Sequence, residues 1–447
     1  MFNSVFGLII ALGILVTIHE YGHFWVARRN GVKVLRFSVG FGKPIWRKVD
    51  KHGTEFVVAW IPLGGYVKML DEREGDVPEE LKSQSFNSKR PSQKIAIAMA
   101  GPVANFLFAI AAFSLMFMIG VRDIATLVGA PIKDSVAETA GLVAKDKIIA
   151  VDGRKVNGFS ELSLALASRV GETGDIKLTV DRSGRELSLA LPITDWLANN
   201  QSPRMASSLG VTPLYPTQPA IIGGILDDGA ALRDGLQVGD EVISVDGIKV
   251  TDWGQWVSLI QTHPEQLLNL IIRRNGQTQS LNLTPKARDV EGTKQGYIGA
   301  AAAPVSWPDD QLIVKRYMPW TALWKGTVET KQMVVLSYNM LWKMVSGQIS
   351  LKQVGGPISI AQMAGASVES GFEAFIAFLA LISISLGIMN LLPVPILDGG
   401  HVVMHALEAV RKKELSERAQ MISVQIGLMF LISLMALAFF NDIGRLM

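Results

Sequence analysis

Two histidines and a glutamate stand at a spacing that can hold and use a metal: His19, Glu20 and His23, within Ile18-His19-Glu20-Tyr21-Gly22-His23-Phe24. On a helix, residues four apart project from one face. Both imidazoles can therefore reach one tetrahedral ion, for which Zn²⁺ is the usual occupant. Glu20 adjoins the first imidazole without being a ligand, where it can take a proton from a water on that ion. Two core histidines beside an ion-paired glutamate would show the same pattern. The surroundings decide: Val5 to Val26 is apolar apart from the motif and long enough to span a bilayer, where ionisable groups are costly and usually functional. The chain has no cysteine, so zinc must be held by histidines and carboxylates, and only six histidines are present.

Elements must bring a third ligand to that pair. At 447 residues the chain should form two to four units, and 49% hydrophobic residues exceeds ordinary soluble composition. A net charge of +3, with no basic stripe interleaved with aromatics, points away from nucleic acid. The first apolar stretch lacks the basic start and small-residue cleavage site of a signal peptide, so it reads as a span over 1–28. Arg28, Arg29, Lys33, Arg36, Lys43, Arg47 and Lys48 follow and set the next loop, 29–94, on the cytoplasmic side. Further spans are expected over 95–121, 372–392 and 421–441, with a basic loop at Arg411, Lys412, Lys413 and Arg418. Both termini then lie outside.

Within the first loop, residues 54–70 read as two short strands about a Pro/Gly turn at Pro62-Leu63-Gly64-Gly65. A hairpin on a small soluble core fits that pattern. So does a membrane-associated β-hairpin dipping toward the active site, since irregular backbone is tolerated where it lines a protein cavity. The small residues Ala100-Gly101 open the second span and let a neighbouring helix approach. Residues 307–371, with Trp320, Trp324 and Trp342, read as amphipathic helix on the outer membrane surface.

An internal repeat fills the region between. Ala140-Gly141-Leu142 through Val151-Asp152-Gly153 returns as Asp234-Gly235-Leu236 through Val245-Asp246-Gly247, and Val128-Gly129 against Ile222-Gly223 keeps the same offset. Alternating Ile/Val closing on Asp-Gly is a strand with a tight turn. The repeat resembles the PDZ domain of bacterial membrane-associated proteases, present twice, over 122–214 and 215–306. Val128, Gly129, Ile222 and Gly223 match the loop by which such domains capture a peptide C-terminus. Lys145 departs from the glycine found at 239, and Pro203, Pro213, Pro216 and Pro219 mark the link. By composition alone, two α+β spacers serve equally well.

The topology sets Asp398 just past the cytoplasmic end of the third span, at the depth of His19 and His23, which makes it a candidate third ligand. His401 and His405 compete with it. The two-part pattern, His-Glu-x-x-His in the first span and Asn390-Leu391-Leu392-Pro393-Val394-Pro395-Ile396-Leu397-Asp398-Gly399 after the third, resembles the site-2 protease family of intramembrane metalloproteases. The likeness covers essentially the whole chain. It implies a polytopic α-helical membrane protein of four transmembrane helices, with one Zn²⁺ held by His19, His23 and Asp398 and with Glu20 as catalytic acid/base. It further implies that Asn390 holds the substrate or tetrahedral intermediate, and that a β element at Gly64, Gly65 and Tyr66 pairs with the substrate. The implied partner is a single-span membrane protein of the anti-sigma factor type, already shortened outside, in the inner membrane of a Gram-negative bacterium. Two rivals remain: a membrane-anchored zinc protease acting on soluble proteins, and a non-catalytic scaffold presenting two PDZ modules. The depth of the motif argues against the first and the retained site residues against the second.

Overall fold

Four helices among the described residues are long and apolar enough to cross a membrane: Asn3–Arg29, Pro91–Ile119, Phe372–Leu391 and Arg418–Arg445. The computed structural model describes residues 2–73, 75–200, 204–290, 293–305, 307–413 and 415–446; Pro203 of the expected link lies outside them. The second span starts with Pro91 in its first turn, where a missing N–H costs nothing, and stops at Gly120 with φ 117°, a backbone few side chains allow. Spans one, two and three pack through small residues. An added Cβ at Gly22 would lie 2.3 Å from the Ala100 carbonyl, so only glycine lets these two backbones meet. Ser383 Oγ in span three donates to the Asn105 carbonyl of span two at 2.9 Å. The fourth span is the least covered by protein, 11% buried against 44% for the second and third, and so presents most of its surface to lipid. Its far end is tied down by Asp442, which accepts from the N–H groups of Gly356, Ile358 and Ser359.

The expected hairpin at 54–70 takes a different form. One strand, Val34–Val49, folds against another, Glu55–Met69, and both bend sharply. Residues 36–39 pair on one side with 65–68 and on the other with 55–58, which also pair with 46–49. The runs flanking the Pro/Gly turn are thus held apart by an earlier segment instead of pairing with each other. Local patterning marks apolar runs, not which distant run will slide between them. A small cluster of Phe24, Phe37, Phe56 and Ile97 fixes this sheet to spans one and two.

The repeat is visible as two separate cores. Each has a four-stranded sheet of the same strand order, from one edge to the other: Arg154–Lys155, Lys147–Val151, Gly174–Arg182 and Arg185–Ile193 in the first, Ile248–Lys249, Glu241–Val245, Leu268–Arg274 and Gln277–Leu283 in the second. Asp152 and Asp246 have φ of 48° and 47°, with positive φ at the following glycines, the backbone of a tight hairpin turn. Buried Asp146 pairs with Arg182 at 2.7 Å, and buried Asp240 with Arg274 at 2.6 Å. The legs of this insertion lie side by side, Val121–Ile124 pairing antiparallel with Leu312–Lys315.

The expected surface helix over 307–371 is also more structured. Pro319–Val345 buries one face on span two, with Gly326 against Ser114, while Trp320, Trp324 and Trp342 stay exposed. Pro357–Glu369 packs into the bundle itself, its Ala364 buried with Ala11, Leu15, Phe378 and Leu379.

Candidate active site

His19 and His23 project from one face of the first span, their rings edge-on with centroids 4.8 Å apart. Their Nε2 atoms lie 3.2 Å from each other. Asp398 opens the helix Asp398–Arg411, and its Oδ2 stands 3.2 Å from His19 Nε2 and 3.4 Å from His23 Nε2. The glycines after it allow this approach: a Cβ on Gly399 would meet the Leu391 carbonyl at 2.3 Å, and one on Gly400 the Val394 carbonyl at 2.2 Å.

These three side chains form a group able to hold a metal ion, their ligand atoms all within 4.8 Å of one another. Two imidazoles and a carboxylate suit Zn²⁺ and leave a fourth position open, as catalytic zinc sites do. Three further observations fit a resident ion. Asp398 Oδ2 is buried without a hydrogen-bond partner among the described residues. A Cβ on Gly101 would lie 2.3 Å from His23 Nε2 and 2.8 Å from His19 Nε2, so glycine there keeps the space beside both nitrogens clear. The remaining ring nitrogens are also fixed. His23 Nδ1 is 2.8 Å from the Ile97 carbonyl, so it carries the proton and Nε2 is free to bind.

His19 Nδ1 is 3.1 Å from the side-chain amide of Asn105, which is fully buried and whose Oδ1 has no partner. Turning that amide over sets the oxygen on His19 Nδ1–H, satisfies the orphan and frees Nε2 in the same way. Neither Gly101 nor Asn105 was singled out from sequence beyond a packing role. The signal was there: a buried Asn in an apolar span is costly unless its partner requires it.

A cavity of about 540 Å³ opens over this group, lined by Glu20, Tyr66, Arg73, Asp398 and His401 among others. The Glu20 carboxylate accepts the N–H of Val67. The outer run of the bent sheet, Gly65 to Met69, forms one wall, and a Cβ on Gly65 would meet the Ser38 carbonyl at 2.7 Å and Glu20 Cγ at 3.2 Å. Tyr66 stacks on Phe41 and accepts from Arg36 Nη1 at 3.2 Å. Gly65 and Tyr66 thus reach the cavity, whereas Gly64 does not line it.

Asn390 occupies the last turn of span three and does not line the cavity. His401 and His405 do line it but stand outside the metal-holding group, and His405 is tied to Glu408 at 2.9 Å. In the repeat loops several backbone donors are already paired. The N–H groups of Val128, Gly129 and Ile222 already donate to the carbonyls of Asp146, Thr212 and Asp240, and a Cβ at Gly223 would lie 2.3 Å from Ala303 Cα. Pairing within the modules thus occupies the backbone donors at three of these four positions.

Comparison with known proteins agrees with this geometry. The chain is 42% identical over 439 residues to the Regulator of sigma E protease of Salmonella typhi, covering 98% of each chain. It is equally similar, 42% over 439 residues and 98% of both, to the Regulator of sigma-E protease RseP of Escherichia coli (strain K12). Protease RseP of Yersinia pestis is 41% identical over 445 residues, 99% of each. The family model described as Peptidase family M50 matches residues 7–434, a stretch that takes in span one, the repeat and Asp398, and with that match this zinc metalloprotease belongs to Peptidase family M50.

Proposed function

We propose that this membrane protease hydrolyses a peptide bond inside the transmembrane segment of a single-span protein, with His19, His23 and Asp398 holding zinc and Glu20 moving the proton. The observation that carries this is the location of the group: two ligands and Glu20 lie within an apolar span, next to a strand edge and an open cavity. A zinc ion bound there supplies a Lewis acid that polarises the scissile carbonyl and acidifies a water. Glu20 takes the water's proton and returns it to the leaving amine. A helical substrate hides its carbonyls in its own hydrogen bonds. The Gly65-to-Lys68 edge offers replacement backbone partners by strand addition, with Val67 N–H aligning Glu20 until substrate arrives.

By the basic residues after span one and after Asp398, the catalytic end faces the cytoplasm, and both termini and the two repeats, read as tandem PDZ domains, face the periplasm. The relatives' name as regulators of sigma E suggests an anti-sigma factor as substrate, cut after its external part has been trimmed. On this reading the modules exclude bulk by folded volume instead of capturing a C-terminus. The test is reconstitution of the purified chain in lipid vesicles with a reporter transmembrane substrate. Cleavage should need zinc and stop on chelation; chelator-insensitive cleavage would remove the zinc site from the chemistry.

A further inference from the structure

His401 lines the cavity one helical turn beyond Asp398, and nothing described above gives it a task. Its ring stacks on His405 at 6.5 Å with planes 28° apart. His405 is a fixed platform: buried, held by Glu408 at 2.9 Å and packed against Phe86 at 5.8 Å. Glu408 is itself fixed by the Leu415 N–H. Among the described residues, neither ring nitrogen of His401 has a hydrogen-bond partner. Several other polar groups on the wall already have partners: Tyr66 accepts from Arg36, Arg73 donates to Asp71 and Gln420, and Glu20 accepts from Val67. His401 itself is exposed, and an imidazole carries at least one N–H to donate in either protonation state.

We propose that His401 is a further catalytic residue, whose imidazole N–H holds the oxygen of the scissile carbonyl as negative charge develops on it. This deepens the reading of the cavity as a peptidase centre and rests on it. His401 shares the cavity wall with Glu20 and the metal-holding group. The step balances without His401 giving up its proton. Water adds to the carbonyl carbon and forms a C–O bond, the π pair moves onto the carbonyl oxygen, and Glu20 takes the water proton. The C–N bond then breaks, the pair on oxygen rebuilds the C=O, and the proton on Glu20 passes to the amine nitrogen. A donor aimed at that oxygen is stronger in the transition state than in the ground state, so it acts on kcat.

The experiment compares His401→Ala and His401→Gln with the wild-type chain in vesicles, reading kcat, KM and bound zinc on a reporter transmembrane substrate. Loss of one such donor costs about 10²–10³ in kcat. His401→Ala should show that drop with KM and one bound zinc unchanged, and His401→Gln, which keeps an N–H donor, should recover much of it. Zinc loss in His401→Ala would make the residue a ligand and overturn the proposal. So would equal losses in both variants with KM raised, which mark a structural role, or a near-normal kcat in the Ala variant. If the wild-type chain cuts and Glu20→Gln does not, the peptidase reading stands whatever His401 does. A zinc-loaded wild-type chain that cuts nothing overturns both.

Discussion

At the scale of single residues, the site depends on positions that never touch substrate. Asn105 fixes the tautomer of His19, and Gly101 leaves room beside both imidazoles. Removing a partner of a metal-bound histidine typically costs 10- to 100-fold in metal affinity. Asn105→Ala should therefore weaken zinc retention by about that factor while leaving the helices intact, measured by competition with a chromophoric chelator. Unchanged affinity would mean that Asn105 only fills space. That His19, His23 and Asp398 could share one ion was legible in the sequence, because periodicity and depth are local properties. Asn105 was not, because its meaning depends on which ring of span one it meets.

At the scale of elements, the four long apolar helices and the repeated strand-and-turn pattern were legible from apolar length and from Asp-Gly turns. The bent sheet did not, since runs 55–58 and 65–68 are joined only through residues 36–39, which precede both. Lys145 was flagged as standing where the second copy has Gly239. The backbone agrees, with φ of 71° and 96° at the two positions, so the first module carries a left-handed lysine. The Asp146–Arg182 pair gives this module a pH signature. Burial pushes the Asp146 carboxyl up, but the Arg182 guanidinium and the Val143 N–H hold it below its usual range. A depressed carboxyl contributes stability that is complete above the unfolded pKa, about 3.9, and is lost as pH falls through the folded value. Asp146→Asn should lower the melting temperature at neutral pH and flatten its fall below about pH 4, by calorimetry of the full chain in detergent. An unchanged acid slope would assign the acid sensitivity to other carboxylates.

At the scale of the whole molecule, the two modules are held differently. The first is locked to the helix Pro319–Val345: Lys343 Nζ reaches into it to donate to the carbonyls of Ser168 and Val170, and Ile349 enters its core. The second hangs on a neck where Ala303 N–H donates to the Ile221 carbonyl and Tyr215 meets Trp307 at 5.5 Å. Excising residues 220–303 and closing that neck should leave the rest of the fold stable and let the enzyme cut substrates that still carry a folded external domain. Continued rejection of bulky substrates, with trimmed ones cut normally, would pass the filtering role to the first module or to the Trp-bearing helix. How the modules are seated was not legible in the sequence, because it rests on side chains such as Lys343 whose partners lie far along the chain.

The central claim is that a zinc group with Glu20 as its base cuts within the membrane-spanning part of a substrate. Mass spectrometry of the products formed in vesicles tests it most directly, comparing the wild-type chain with Glu20→Gln at equal bound zinc. The wild type should give fragments ending inside the substrate's apolar segment, and Glu20→Gln should lose several orders of magnitude in rate with its zinc retained. Cuts confined to the substrate's soluble flanks, or undiminished cleavage by Glu20→Gln, would contradict it.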